Sequence, residues 1–213
     1  MKRRQFSAQL AVASLGLPFL NTAQAQGAPT EGTEYTKISP PVAVTAPAGK
    51  VEVVELFSYA CPHCAELEPI LEAWVKRLPP EVHFHRIPVQ FLANPENFQP
   101  LYYALEEMNL VDAMQLKIFK AVHQERQRLN TQQDIAAFMT KNGVDATKFM
   151  AVFNSFSVRS KASRASQLVN AYAPEGVPAL AVQGRFLTSP VQARGNEQAL
   201  RVVSQLVQKM RGK

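Results

Sequence analysis

Beyond Cys61 and Cys64 the 213-residue chain has no cysteine, and this scarcity excludes several functions at once. A disulfide scaffold is excluded, because a bridge across two intervening residues closes too small a loop to restrain the unfolded chain, and an inert structural disulfide would contribute as little. A zinc site lacks a second Cys-x-x-Cys, and His83 and His85 sit on alternate positions of a strand-like run, where they read as ordinary side chains. Covalent haem attachment needs histidine directly after the second cysteine, and Ala65 stands there. After residue 25 no stretch is long and apolar enough to cross a membrane, and no internal repeat is visible. A strong charge excess is missing too: without Lys2, Arg3 and Arg4 the formal +6 falls to +3. Basic residues are interspersed with acids, and Arg126 to Arg128 and Arg159 to Arg164 read as solvated helical faces, so nothing argues for nucleic acid.

What is present begins with a targeting signal. Lys2-Arg3-Arg4 precedes a mostly apolar stretch from Phe6 to Leu20, followed by Ala23-Gln24-Ala25. That is the pattern of a secretory signal peptide over residues 1–25, with cleavage expected after Ala25. The stretch spans about 15 residues against the roughly 20 of a spanning helix, which favours cleavage over an anchor. Arg3-Arg4-Gln5-Phe6 also resembles a twin-arginine signal, leaving the export route open. The mature protein is expected to be soluble and exported, large enough to bury a core without staples. The cysteine pair is then free to be chemical.

Residues 26–49 form an extended lead-in with a short strand at Tyr35 to Ile38. Lys50 to Phe57 reads as a buried strand, with Glu52 as an edge or end residue. Leu67, Leu71, Trp74 and Leu78 then recur at helical spacing until Pro79-Pro80, and Val82 to Val89 alternates as a strand, completing a βαβ unit. Helices are predicted near Phe98 to Met108, Asp112 to His123, Thr131 to Lys141, Ala146 to Phe153 and Val158 to Tyr172, with Asp145 as an N-cap. A hairpin of Pro178 to Val182 and Arg185 to Thr188 and a helix from Asn196 to Met210 close the chain. The expected fold class is α/β. Residues 26–90 and 173–213 form the two parts of one domain, interrupted by an inserted helical domain at 91–172.

Cys61-Pro62-His63-Cys64 lies where the buried strand runs into a helix. A thiol at a helix start faces unpaired N–H groups and the positive end of the macrodipole, which favour thiolate, and a second thiol one turn on can resolve a mixed disulfide. Pro62 occupies the first turn, where its missing N–H costs nothing. His63, if protonated or donating to sulfur, further stabilises Cys61 as thiolate and makes the disulfide a better oxidant. The chemistry expected is disulfide exchange through an exposed Cys61 resolved by Cys64. A thioredoxin-like reductase or isomerase, and a redox-inactive peptide- or metal-binding module, remain as alternatives.

The motif after an aromatic strand end, together with Glu175-Gly176-Val177-Pro178-Ala179 before a late hairpin, resembles the DsbA family of periplasmic thiol:disulfide oxidases. Further likeness runs through Glu34-Tyr35-Thr36, Val54 to Tyr59 and Asn154-Ser155-Phe156, nearly the whole mature chain. The resemblance implies a thioredoxin-like fold with a helical insert, a cis peptide bond at Pro178, and a Val177 backbone against which a substrate strand pairs beside Cys61. It brings Glu55 and Glu68 near the cysteines. Glu55, in a buried strand, is expected to have a raised pKa and to relay the proton of Cys64. Glu68, by its position on the helix, is expected to be solvated. The implied mechanism passes the Cys61–Cys64 disulfide, without a bound cofactor, to reduced exported proteins, with reoxidation by a quinone-linked membrane partner resembling DsbB. Monomer is the default state. The second, structural cysteine pair of some family members is absent here.

Overall fold

Strand β2, Val51–Phe57, lies inside the sheet with all seven residues buried. Its β-branched and apolar run has no face suited to water. The structure is a computed structural model describing residues 27–90 and 96–211. The expected signal peptide and its cleavage after Ala25 lie outside the described residues. β2 pairs in parallel with β3 (Val82–Pro88), across the crossover helix α1 (Pro62–Val75), as the expected βαβ unit. On its other side it pairs antiparallel with β4 (Ala179–Val182), which continues through β5 (Phe186–Thr188) to β1 (Thr36–Lys37). The sheet order is β1-β5-β4-β2-β3.

The two faces of the sheet carry different cores. Val51 and Val53 join Leu67 and Leu71 of α1, Leu180 and Val182 of β4, and Leu200, Val203 and Leu206 of the last helix, α7 (Asn196–Arg211). Burying a leucine contributes about 1.5–3 kcal/mol, so the apolar stripes of α1 and α7 hold both helices to this face. Val54 and Leu56, one residue out of phase, belong to the second core with five helices that stand between β3 and β4 in the chain. These are α2 (Phe98–Glu107), α3 (Val111–His123), α4 (Gln132–Lys141), α5 (Ala146–Phe153) and α6 (Phe156–Tyr172).

Local chemistry sets the helix boundaries. Thr131 and Asp134 form a reciprocal capping box at α4, and Asp145 caps α5 through the Lys148 N–H, as expected. α6 starts at Phe156 rather than at Val158, because the Ser155 hydroxyl accepts from the Val158 N–H and so makes Ser155 the cap.

Glu52 stands at the end of β2, as expected, although the strand is not an edge of the sheet. It is buried on an interior strand, and its Oε2 accepts from both the N–H and the hydroxyl of Thr45 at 2.7 Å. His85 Nε2 lies 3.3 Å from the same oxygen. Burial pushes this carboxyl up, but His85 and Thr45 outweigh it and hold it down at about 2.

Candidate active site

The turn from β2 into α1 is stitched by its own backbone. Ser58 Oγ accepts from the Ala60 N–H, and the Ser58 carbonyl from the Cys61 N–H, at 3.1 Å each. Cys61 is thereby the extended N-cap of α1, with Pro62 in the first turn. No side-chain cap fills the helix start, so the N–H groups of His63 and Cys64 are free to face the Cys61 sulfur.

Both cysteines are free thiols, the reduced form of the site. The Cys61 thiol is brought down to about 6, chiefly because Cys64 donates its S–H to the Cys61 sulfur. Burial works against this, and the N–H groups of Cys64 and His63 and the charge of His63 work with it. Cys64 is fully buried and is pushed far in the opposite direction, first by burial and then by its donation to Cys61 and the charge of Glu55. The two sulfurs are thus strongly unequal, with the anion belonging to Cys61.

Two expectations about this pair need correction. Cys61 is 6% exposed, a recessed sulfur rather than an open one, because the segment before Pro178 covers it. Its thiol donates to the Val177 carbonyl at 3.2 Å, and the Val177–Pro178 peptide is cis, as the resemblance implies. His63 does not donate to sulfur: its ring is exposed and its Nδ1 lies 3.1 Å from Glu66 Oε2. That contact raises the imidazole pKa, so the ring acts on Cys61 by charge and its backbone N–H acts directly.

Beneath the thiols lies a buried polar cluster. Glu55 is opposite Arg86 in the β2–β3 register, and its Oε2 accepts from Arg86 Nε at 2.9 Å. Arg86 Nη2 also donates to Glu68 Oε1 at 2.6 Å. Glu68, expected in solvent, is 1% exposed, because its turn of α1 faces β3 and the helical block. Two carboxylates therefore share one guanidinium. Burial and then the charge of Glu68 hold the Glu55 carboxyl well above the usual range, and Glu55 Oε1 has no hydrogen-bond partner among the described residues. Glu68 is raised as well, by burial foremost, with Arg86 and Gln115 opposing.

Helix α3 completes the cluster. Gln115 Nε2 donates to Glu68 Oε2 at 3.4 Å, while its Oε1 accepts the Tyr59 hydroxyl at 2.5 Å. Tyr59 is fully buried among Phe57, Phe98 and Phe119, and its carbonyl lies 2.8 Å from His123 Nε2. Arg86, Gln115, Tyr59 and His123 were not singled out for any role from the sequence. Arg86 alone left a signal, as a full charge in a strand that runs on into Ile87, Pro88 and Val89.

Outside the cysteines, a groove of about 930 Å³ runs past His63, Tyr172, Val177, Pro178 and Leu187 to Val191, which is 87% exposed. Among the described residues, no three His, Cys, Asp or Glu side chains converge as metal ligands, and no helix is long and apolar enough to span a membrane.

These features can be set beside known proteins. The model of the DSBA-like thioredoxin domain matches residues 86–206. The thiol:disulfide interchange protein DsbA of Bordetella pertussis is 43% identical, covering 97% of this chain and 98% of its own. The Pseudomonas aeruginosa protein of the same name is 37% identical over 99% and 98%. A crystal structure of Pseudomonas aeruginosa DsbA superposes with a TM-score of 0.81, covering 86% of this chain and 95% of that one. The oxidoreductase DsbA of Xylella fastidiosa also gives 0.81, at 29% identity and with 88% and 100% covered. A thioredoxin-like α/β fold, an asymmetric dithiol at a helix start and this degree of likeness lead to one assignment: the chain belongs to the DsbA family of thiol:disulfide oxidoreductases.

Proposed function

We propose that this oxidoreductase runs as an oxidase, donating a Cys61–Cys64 disulfide to reduced, newly exported proteins. The observation that carries this is the inequality of the two sulfurs. With Cys61 held down to about 6 and Cys64 held up by burial, the reduced pair is stabilised as one thiolate and one thiol. Whatever stabilises the reduced form makes the disulfide a stronger oxidant.

In the first step a substrate thiolate attacks Cys61 sulfur, the S–S bond breaks, and Cys64 leaves with the electron pair. The departing Cys64 sulfur needs a proton, and protonated Glu55 supplies it; in the reverse direction Glu55 as carboxylate takes it back. A second substrate thiolate then attacks the substrate sulfur of the mixed disulfide, releasing an oxidised substrate and Cys61 as thiolate. Pro62 and the N–H groups of the first turn hold that thiolate, and the charge of His63 adds to them. Val177, preceding Pro178, offers backbone for a substrate strand, an attachment tolerant of sequence. The groove beside it gives the apolar parts of an unfolded chain a place to lie.

The same proposal includes the disulfide as the chain's own electron carrier, with no bound cofactor, and reoxidation by a quinone-linked membrane oxidase resembling DsbB. It places the monomeric protein in the periplasm after cleavage behind Ala25, with residues 26–90 and 173–213 as one thioredoxin-like domain and 91–172 as its helical insert.

Cys64→Ser provides the test. In the variant the Cys61 thiolate attacks disulfides of exported proteins, releasing one of their sulfurs as thiolate, and without Cys64 to displace the partner the mixed disulfides should accumulate, visible as reducible adducts. A population of free Cys64→Ser protein with no adducts, in cells where wild type is oxidised, contradicts the proposal.

A further inference from the structure

Glu55 and Glu68 both face Arg86, and it is the charge of Glu55 that acts on Cys64. Two ionised carboxylates and one guanidinium leave a net negative charge in a buried site, so the pair readily binds a proton. Which carboxyl holds it depends on the donors each can reach. Glu68 has one donor on each oxygen, Arg86 on Oε1 and Gln115 on Oε2. Glu55 has Arg86 on Oε2 and none on Oε1.

The orientation of the Gln115 amide is fixed by its other end. The buried Tyr59 hydroxyl donates to Gln115 Oε1, which turns Nε2 toward Glu68; the flipped amide would set a carbonyl oxygen against a carboxylate. Tyr59 is held in turn, its ring by Phe57, Phe98 and Phe119 and its carbonyl by His123 from the same helix as Gln115.

We infer that Gln115 of helix α3 is a positioning residue for disulfide exchange, keeping Glu68 hydrogen-bonded as a carboxylate so that the shared proton resides on Glu55. The helical block thereby takes part in the chemistry as well as covering it. The inference rests on the proposed role of Glu55 as proton donor to Cys64. The charged and titratable groups around Glu55 are Arg86 from β3, Glu68 and Cys64 from α1, Tyr59 from the turn and Tyr102 from α2; around Glu68 they are Arg86, Tyr59 and Glu72. Of the groups touching the two carboxylates, Arg86 serves both and Gln115 serves only Glu68.

The test follows the side-chain carboxyl carbons of Glu55 and Glu68 by NMR through a pH titration of the reduced protein, assigned with Glu55→Gln and Glu68→Gln. In wild type the proton signal should fall mainly on Glu55. In Gln115→Met, of similar size but without a donor, Glu68 should take a larger share and the Glu55 midpoint should fall by about one unit, a tenfold loss of proton affinity. Tyr59→Phe, which frees the amide to rotate, should move both signals the same way by less, and it decides the matter if Gln115→Met does not fold. Unchanged Glu55 and Glu68 titrations in a folded variant overturn the inference. If the proton moves as expected while Glu55→Gln exchanges disulfides at the wild-type rate, Gln115 still places the proton and the relay role of Glu55 fails.

Discussion

Glu52 and Glu55 lie three residues apart on one strand and are both buried, yet they titrate in opposite directions. Glu52 closes the far end of β2 against Thr45 and His85, three contacts converging on one oxygen with no rival carboxylate beside it. Glu55, below the cysteines, shares the Arg86 guanidinium with Glu68 and has an oxygen unpartnered among the described residues. Burial alone raises both, so the number of partners decides the outcome. One carboxylate is built to stay charged and tie the lead-in to the sheet, the other to hold and release a proton.

Removing the shared cation should have the largest effect. Arg86→Met leaves two carboxylates facing each other in a buried site, and a loss of about 3–5 kcal/mol at neutral pH is expected in urea unfolding. Both carboxyls have raised folded pKa values, so their unfavourable contribution appears as pH rises above the unfolded value and the loss should shrink on acidification. A loss below about 1 kcal/mol at neutral pH breaks the contrast with Glu52.

Glu52→Gln comes next. With a folded pKa of about 2, Glu52 contributes stability present in full above its unfolded value of about 4.3 and lost as pH falls through about 2. The variant should be about 3 kcal/mol less stable at neutral pH, with the deficit vanishing in acid and the exchange rate unchanged. A deficit equally large at both ends of the pH range would point to packing instead of charge.

Glu55→Gln should show the reverse pattern. Its stability should change by less than about 1 kcal/mol, while mixed-disulfide formation from the oxidised enzyme and a small thiol slows by about tenfold or more in stopped flow. Stability lost with no change in rate makes Glu55 another Glu52.

A last effect separates the sulfurs from the carboxylates, which both redox forms share. A Cys61 pKa lowered to about 6 gives the reduced form stability that is complete above the unfolded thiol value of about 8.5 and disappears as pH falls through about 6. The difference in stability between reduced and oxidised forms should therefore shrink by about 1.4 kcal/mol per pH unit on acidification across that window. A difference independent of pH there means that Cys61 is an ordinary thiol.

The same contrast explains what was legible in the sequence. Patterns carried by neighbours in the chain came through: α5 runs from Ala146 to Phe153 behind its Asp145 cap, and the crossover from β2 to β3 follows from apolar periodicity. The cysteine pair and the raised Glu55 are likewise available from local motif and strand burial, and the cis bond at Pro178 through the family resemblance. Glu68 was misplaced in solvent, because what buries it comes from Arg86 on β3 and Gln115 on α3, far off in the chain. Glu52 needed Thr45 and His85 for the same reason. For His63 the charge on Cys61 follows from its place in the motif, but its ring turns to the i,i+3 carboxylate of Glu66 on the exposed helix face instead of to sulfur. Buried charge is specified by tertiary partners, and periodicity does not record them.

The most direct measurement of the central claim is the redox equilibrium of Cys61 and Cys64 with glutathione, which gives the reduction potential. Stabilisation of one thiolate in the reduced pair predicts a value less negative than about −200 mV, on the oxidising side of the glutaredoxins. A value near the roughly −270 mV of thioredoxin would contradict the account and make the protein a reductase.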